Sequence, residues 1–214
     1  AARVVLVRHC EEEPGLGTWP SLRELVAWQR DEGGRPLTTG GRHQAARLAG
    51  ELARWSPDRL RTSPLRRARE TSETLAARLH LAPTVDPELA EISFGVPPLA
   101  RTLWGRVRMP RRTGFTLMRS LWLAGLTRGV DTPDGLSRRS RQLEAALREE
   151  AGFPAVVSHG VVLVYLLSVM THPAERARPR RGHLLRSGEM VVLERDGARW
   201  RITARWRPRD RPGR

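Results

Sequence analysis

Hydrophobic positions are spread unevenly along this chain, and two short runs stand out. Val4-Val5-Leu6-Val7 near the start and Ala155-Val156-Val157 late in the chain are unbroken apolar stretches rich in valine. Such runs predict strands buried on both faces, as in a parallel sheet. Helical spacing fills much of the remainder. Ala45, Leu48, Leu52 and Trp55 recur three and four apart behind Thr38-Thr39-Gly40-Gly41, which predicts a helix to about residue 55. Leu65, Ala68, Ser72, Leu75 and Leu79 mark another, with Ser63 as the expected N-cap and Pro64 as the first helical residue. A short helix is predicted within 18–35, one over 136–150 and an apolar one over 161–170. Residues 58–61 and 83–86 read as further strands, the second weakened by flanking proline, and 189–194 with 199–206 as a hairpin about Asp196-Gly197. Strands alternating with helices predict an α/β fold, a three-layer α/β/α sandwich on a mostly parallel central sheet. No repeat or linker interrupts the pattern, so residues 1–214 are expected to form one domain with a frayed tail from 207.

Both apolar runs end in a histidine, the first in Arg8-His9 and the second in Ser158-His159-Gly160. Ligands of open α/β sheets sit outside the carboxyl ends of the strands. His9 alone reads equally well as a polar strand end facing water; its recurrence at position 159 points to a site. Arg67 falls near the first turn of its helix, where a guanidinium beside helix N–H groups makes an anion site.

Arg8-His9, the segment Ser63-Pro64-Leu65-x-Arg67-Ala68-x-x-Thr71, and Ser158-His159-Gly160 together resemble the histidine phosphatase superfamily, which includes the cofactor-dependent phosphoglycerate mutases. The resemblance runs from Val4 to about Trp206 and is poorest between Val96 and Leu136. It implies catalytic roles for His9, Glu91 and His159, and phosphate binding by Arg8, Arg67, Cys10 and Gly160. His9 would form a phosphohistidine. Glu91, in Leu89-Ala90-Glu91, would be the proton donor, with Glu88 a competitor three residues away. The resemblance also implies a lid insertion at about 96–136, rich in arginine and tryptophan. Trp104, Arg106, Arg108, Arg111, Arg112, Phe115, Trp122 and Arg128 fall in it, either as substrate contacts or as a helical hairpin packed on the body. Two departures matter. Cys10 stands where the family usually has glycine, and Val96-Pro97-Pro98 replaces an acidic, Trp-containing run common in its small-substrate phosphatases.

Composition narrows the partners. The chain has 214 residues, enough for a substantial core, and one cysteine, which excludes an internal disulfide. Its formal net charge is +15, carried entirely by arginine without lysine. That charge favours anionic partners, yet no zinc-finger spacing, basic heptad region or RNA-binding aromatic motif is present. The expectation is therefore no specific nucleic acid, no membrane and a cytoplasmic location. His43, His80, His172 and His183 lack ligand spacing, so neither metal nor cofactor is expected. Glu11, Glu12 and Glu13 are expected to face solvent, and Cys10 to be a small space-filling residue. The reading is a phosphomonoesterase for a small phosphorylated metabolite. Alternatives are a phosphomutase, with Arg111-Arg112 as a second anion pocket, or a non-catalytic phospho-ligand binder. Monomer and homodimer stay open.

Overall fold

A computed structural model describes residues 1–30, 32–127, 131–171 and 185–208. The basic loop at 174–181, His172, His183, Arg128 and the tail beyond 208 lie outside them. The central sheet has six strands in the order β3-β2-β4-β1-β5-β6. β1 (Arg3–Arg8) pairs in parallel with β4 (Pro154–Ser158), which pairs in parallel with β2 (Arg59–Thr62), and β2 with β3 (Pro83–Val85). β5 (Met190–Asp196) runs antiparallel to β1, and β6 (Arg199–Trp206) antiparallel to β5. β3 and β6 are thus the edges.

The pleat of β1 explains the layers. Val5 and Val7 join one apolar cluster with Ala45, Leu48 and Leu52 of α2 (Thr39–Ala53) and Ala68 and Leu75 of α3 (Arg66–Leu79). Val4 and Leu6, on the opposite face, join Leu143 and Leu147 of α5 (Pro133–Glu149) and Leu163, Leu166 and Leu167 of α6 (Gly160–Met170). Alternate residues of one strand therefore feed two helical layers. None of the four is exposed to solvent.

Local chemistry starts the helices. In α1 (Leu22–Arg30), Ser21 Oγ accepts the Glu24 N–H at 3.2 Å while Glu24 Oε2 accepts the Ser21 N–H at 2.6 Å, a reciprocal capping box. Thr38 caps α2 and Thr132 caps α5 through their hydroxyls. α3 departs from expectation. It begins at Arg66, behind Leu65, because Ser63 Oγ is bonded to His159 at 2.7 Å and accepts only the Leu65 N–H, at 3.3 Å. Arg67 still occupies the first turn.

The stretch from 96, expected as a lid, does not form a helical hairpin. Two single turns, Pro98–Arg101 and Leu103–Arg106, lead to one helix, α4 (Arg111–Leu123). The segment ends at Thr132, where α5 is capped, rather than at Leu136. α1 and α4 share a small core of Leu22, Leu25, Val26 and Met118. No helix among the described residues is long and apolar enough to cross a membrane.

Gly41 fixes how α2 meets the end of β1. A Cβ there would stand 2.0 Å from the Glu11 carbonyl oxygen, two residues beyond His9. Gly41→Ala is expected to cost about 1–3 kcal/mol of stability, as overpacking does, readable as a lower urea midpoint with an unchanged slope.

Candidate active site

Register brings the two histidines together. Arg8 of β1 lies opposite Ser158 of β4, so the next residue of each strand is His9 and His159, and the His9 N–H bonds the Ser158 carbonyl at 3.0 Å. Their ring centroids are 5.0 Å apart, tilted by 52°. β2 adds Ser63, whose N–H donates to the Val157 carbonyl at 3.0 Å and whose hydroxyl meets His159 Nε2 at 2.7 Å. His159 Nδ1 is buried without a hydrogen-bond partner among the described residues.

His9 is held in one tautomer. Its Nδ1 lies 2.7 Å from the Cys10 carbonyl oxygen. A carbonyl only accepts, so Nδ1 carries the proton and Nε2 keeps its lone pair. Burial, then the charges of Arg8 and Arg67, hold His9 well below the ordinary imidazole value of 6.5. Burial, then the neighbouring His9 and the charges of Arg67 and Arg8, do the same to His159. Both rings are neutral at pH 7. Glu91 is displaced the other way: burial raises its carboxyl above the ordinary 4.5, against the pull of the Ile92 N–H, Arg67 and Arg8. The Ile92 N–H donates to Glu91 Oε1 at 3.0 Å. Glu88 is exposed and does not line the site cavity.

The guanidiniums are anchored from behind. Arg8 Nη1 donates to the Leu185 carbonyl at 2.7 Å, and the strand-end loop is pinned in turn by Glu189, buried between Arg205 and Arg207 at 3.1 and 2.9 Å. Arg67 has only 2% of its side chain exposed. Glu12 pairs with Arg67 Nε at 3.2 Å and with Arg35 Nε at 3.1 Å, correcting the expectation that it faces solvent. Glu11 and Glu13 are exposed as expected. Arg35 also stacks on the Trp28 ring, 3.7 Å from its centre.

Above this floor opens a cavity of about 700 Å³, bordered by Arg8, His9, Glu12, Arg67 and Glu91 below. Its walls come from Trp28 and Gln29 of α1, Phe94 of the stretch after Glu91, Phe115 and Trp122 of α4, and Val161 and Tyr165 of α6. Arg111 and Arg119 of α4 border it too. Trp104 does not; it is 68% exposed on the turn Leu103–Arg106.

Cys10 and Gly160, expected among the binding residues, do not line the cavity, and neither does His159, expected as catalytic, whose ring is fully buried beside His9. The Cys10 side chain turns into the core beside Val7, Ala45 and Leu48, and burial pushes its thiol up to about 12. Only its backbone serves the site: its carbonyl fixes His9, and its N–H donates to Thr71 Oγ1 at 3.0 Å. Gly160 is buried as the first residue of α6. Ser63 and Glu12 were assigned other duties from sequence, a helix cap and a solvated charge. Gln29, Arg119 and Tyr165 carried no signal beyond lying on helices.

Two imidazoles brought together at parallel strand ends, with two guanidiniums beside them, accord with the resemblance to the histidine phosphatases. The model of that superfamily, branch 1, matches residues 4–206, and the chain belongs to it. Over 201 residues it is 29% identical to the protein named "Probable phosphoglycerate mutase GpmB" of Serratia proteamaculans (strain 568), covering 92% of this chain and 87% of that one. Among solved structures, a mycobacterial glucosyl-3-phosphoglycerate phosphatase aligns with a TM-score of 0.66 at 22% identity, covering 94% of this chain and 97% of that one. A phosphoserine phosphatase of Entamoeba histolytica aligns with a TM-score of 0.64 at 19% identity, covering 95% of each chain. At these identities the structural likeness is one of fold.

Glu12→Ala takes away the negative charge shared by two buried guanidiniums. The variant is expected to lose about 2 kcal/mol of stability. Inorganic phosphate should raise its melting temperature more than that of the unaltered protein, because the anion replaces the missing charge.

Proposed function

We propose that this protein is a phosphomonoesterase that works through a phosphohistidine on His9. The observation that carries the reading is the state of that ring: neutral, oriented by the Cys10 carbonyl with Nε2 unprotonated, and set between guanidiniums. Nε2 attacks phosphorus in line as the ester P–O bond breaks. The leaving oxygen takes a proton from Glu91, whose carboxyl burial raises above the ordinary 4.5. Arg8 and Arg67 supply positive charge and N–H donors to the equatorial oxygens, whose charge is the chief demand of phosphoryl transfer, while the neutral His159 stands beside His9 with its Nε2 on the Ser63 hydroxyl. A water then attacks the phosphohistidine, giving its proton to Glu91. The P–N bond breaks, and inorganic phosphate leaves with His9 neutral again.

A second reading is favoured by Arg111 and Arg119 on the cavity wall and by the name of the mutase-like relatives. A mutase would return the phosphoryl group to substrate and would need a bisphosphate primer. Turnover of a monophosphoglycerate that starts only on adding the bisphosphate, without phosphate release, would favour it over hydrolysis.

Rapid acid-free quenching with labelled substrate should trap base-stable, acid-labile phosphate on His9, and His9→Ala should abolish both label and turnover. Undiminished hydrolysis by His9→Ala would end the proposal. Glu91→Gln should lower kcat about 10²–10⁴-fold on alkyl esters and much less on p-nitrophenyl phosphate, whose leaving group needs no proton.

The pH profile has a definite sign. Activity falls toward acid as His9 takes up a proton, with that limb below 6.5 because its pKa is lowered. It falls toward alkali as Glu91 ionises, with that limb above 4.5 because its pKa is raised. Glu91→Gln should remove the alkaline limb only.

A further inference from the structure

One phosphoryl group fills a small part of the 700 Å³ cavity. What surrounds the rest is unusual for a chain so poor in aromatics. Its only tyrosine and two of its three phenylalanines border this one space, together with Trp28 and Trp122. They are locked by edge contacts: Trp28 with Phe115 at 5.2 Å, Phe94 with Trp122 at 5.6 Å, and Trp122 with Tyr165 at 6.1 Å between ring centres. Such walls reward apolar rings. A sugar or glycerate hydroxyl set against those rings would leave water without a partner; beyond the floor, the polar side chains on the border are those of Glu11, Gln29, Arg111, Thr116, Arg119 and Ser187.

Resting on the phosphatase reading above, we propose that the substrates are phosphate monoesters of bulky, ring-bearing apolar alcohols. Arg111 and Arg119 are exposed on α4, at the solvent side of the wall, and remain hydrated beside such a ligand.

The test compares primary alkyl esters, so that leaving-group basicity does not decide. 2-(1-Naphthyl)ethyl phosphate is expected to exceed 3-phosphoglycerate and glucose 6-phosphate in kcat/KM by about thirtyfold or more, from its apolar burial. Equal or faster turnover of the polar esters overturns the substrate class. If no ester is hydrolysed, the phosphatase reading fails by itself. The same preferences are then read as dissociation constants on His9→Ala by calorimetry, where tighter binding of the polar esters, or no binding of any, overturns this proposal.

Discussion

Parallel pairing of β1 with β4, in the register that sets Arg8 beside Ser158, commits the chain to a single arrangement of its reactive groups. Side chains alternate along a strand, so a slip of one residue would reverse every face of β1. Val5 and Val7 would leave one core cluster, Val4 and Leu6 the other, and His9 would lose its neighbour on β4. The core thus enforces the geometry of the site. Apolar residues with no chemistry of their own hold two imidazoles 5.0 Å apart.

Burial then acts on the site with opposite effects on acids and bases. Withdrawal from water favours the neutral form of any titrating group, so it keeps His9 and His159 unprotonated and raises the Glu91 carboxyl above its ordinary value. Burial lowers Arg8 as well, but a guanidinium starts so far above neutrality that it keeps its charge at the floor of the site. The result is a pocket in which an imidazole and a carboxyl are both biased toward their neutral forms. Glu12 keeps that floor from becoming a cluster of bare cations: it joins Arg67 to Arg35, and Arg35 to the face of Trp28. The charged floor and the aromatic wall are thereby parts of one packed unit.

Much of this could be read along the chain. Apolar runs ending in histidine gave β1 and β4, because burial on both faces of a strand leaves an uninterrupted signature. Arg67 and Glu91 stood out through local motifs. The misreadings share a physical cause. Ser63-Pro64 has the composition of a helix start, but the Ser63 hydroxyl is engaged by a residue 96 positions away, and helix rules are blind to such a partner. Glu12 looks solvated within an acidic triplet, and its cations lie on α3 and on the stretch before α2. Cys10 reads as a site residue by position, but the strand turns its thiol into the core and offers only backbone to His9. Gln29 and Tyr165 were hidden altogether, since helical periodicity does not tell which face borders a cavity.

The sheet's two edges carry a consequence for the molecule in bulk. β3 is three residues long and opens with Pro83, which offers no amide to a newcomer. β6 is longer and lacks a neighbour beyond it, and its exposed positions include Arg199, Arg201 and Arg205. A stranger strand seeking to extend the sheet there would have to strip hydration from a row of like charges, while at the other end it would find too few donors to hold. The arginine content that suggests polyanionic partners thus also guards the molecule against fibrous self-association at high concentration.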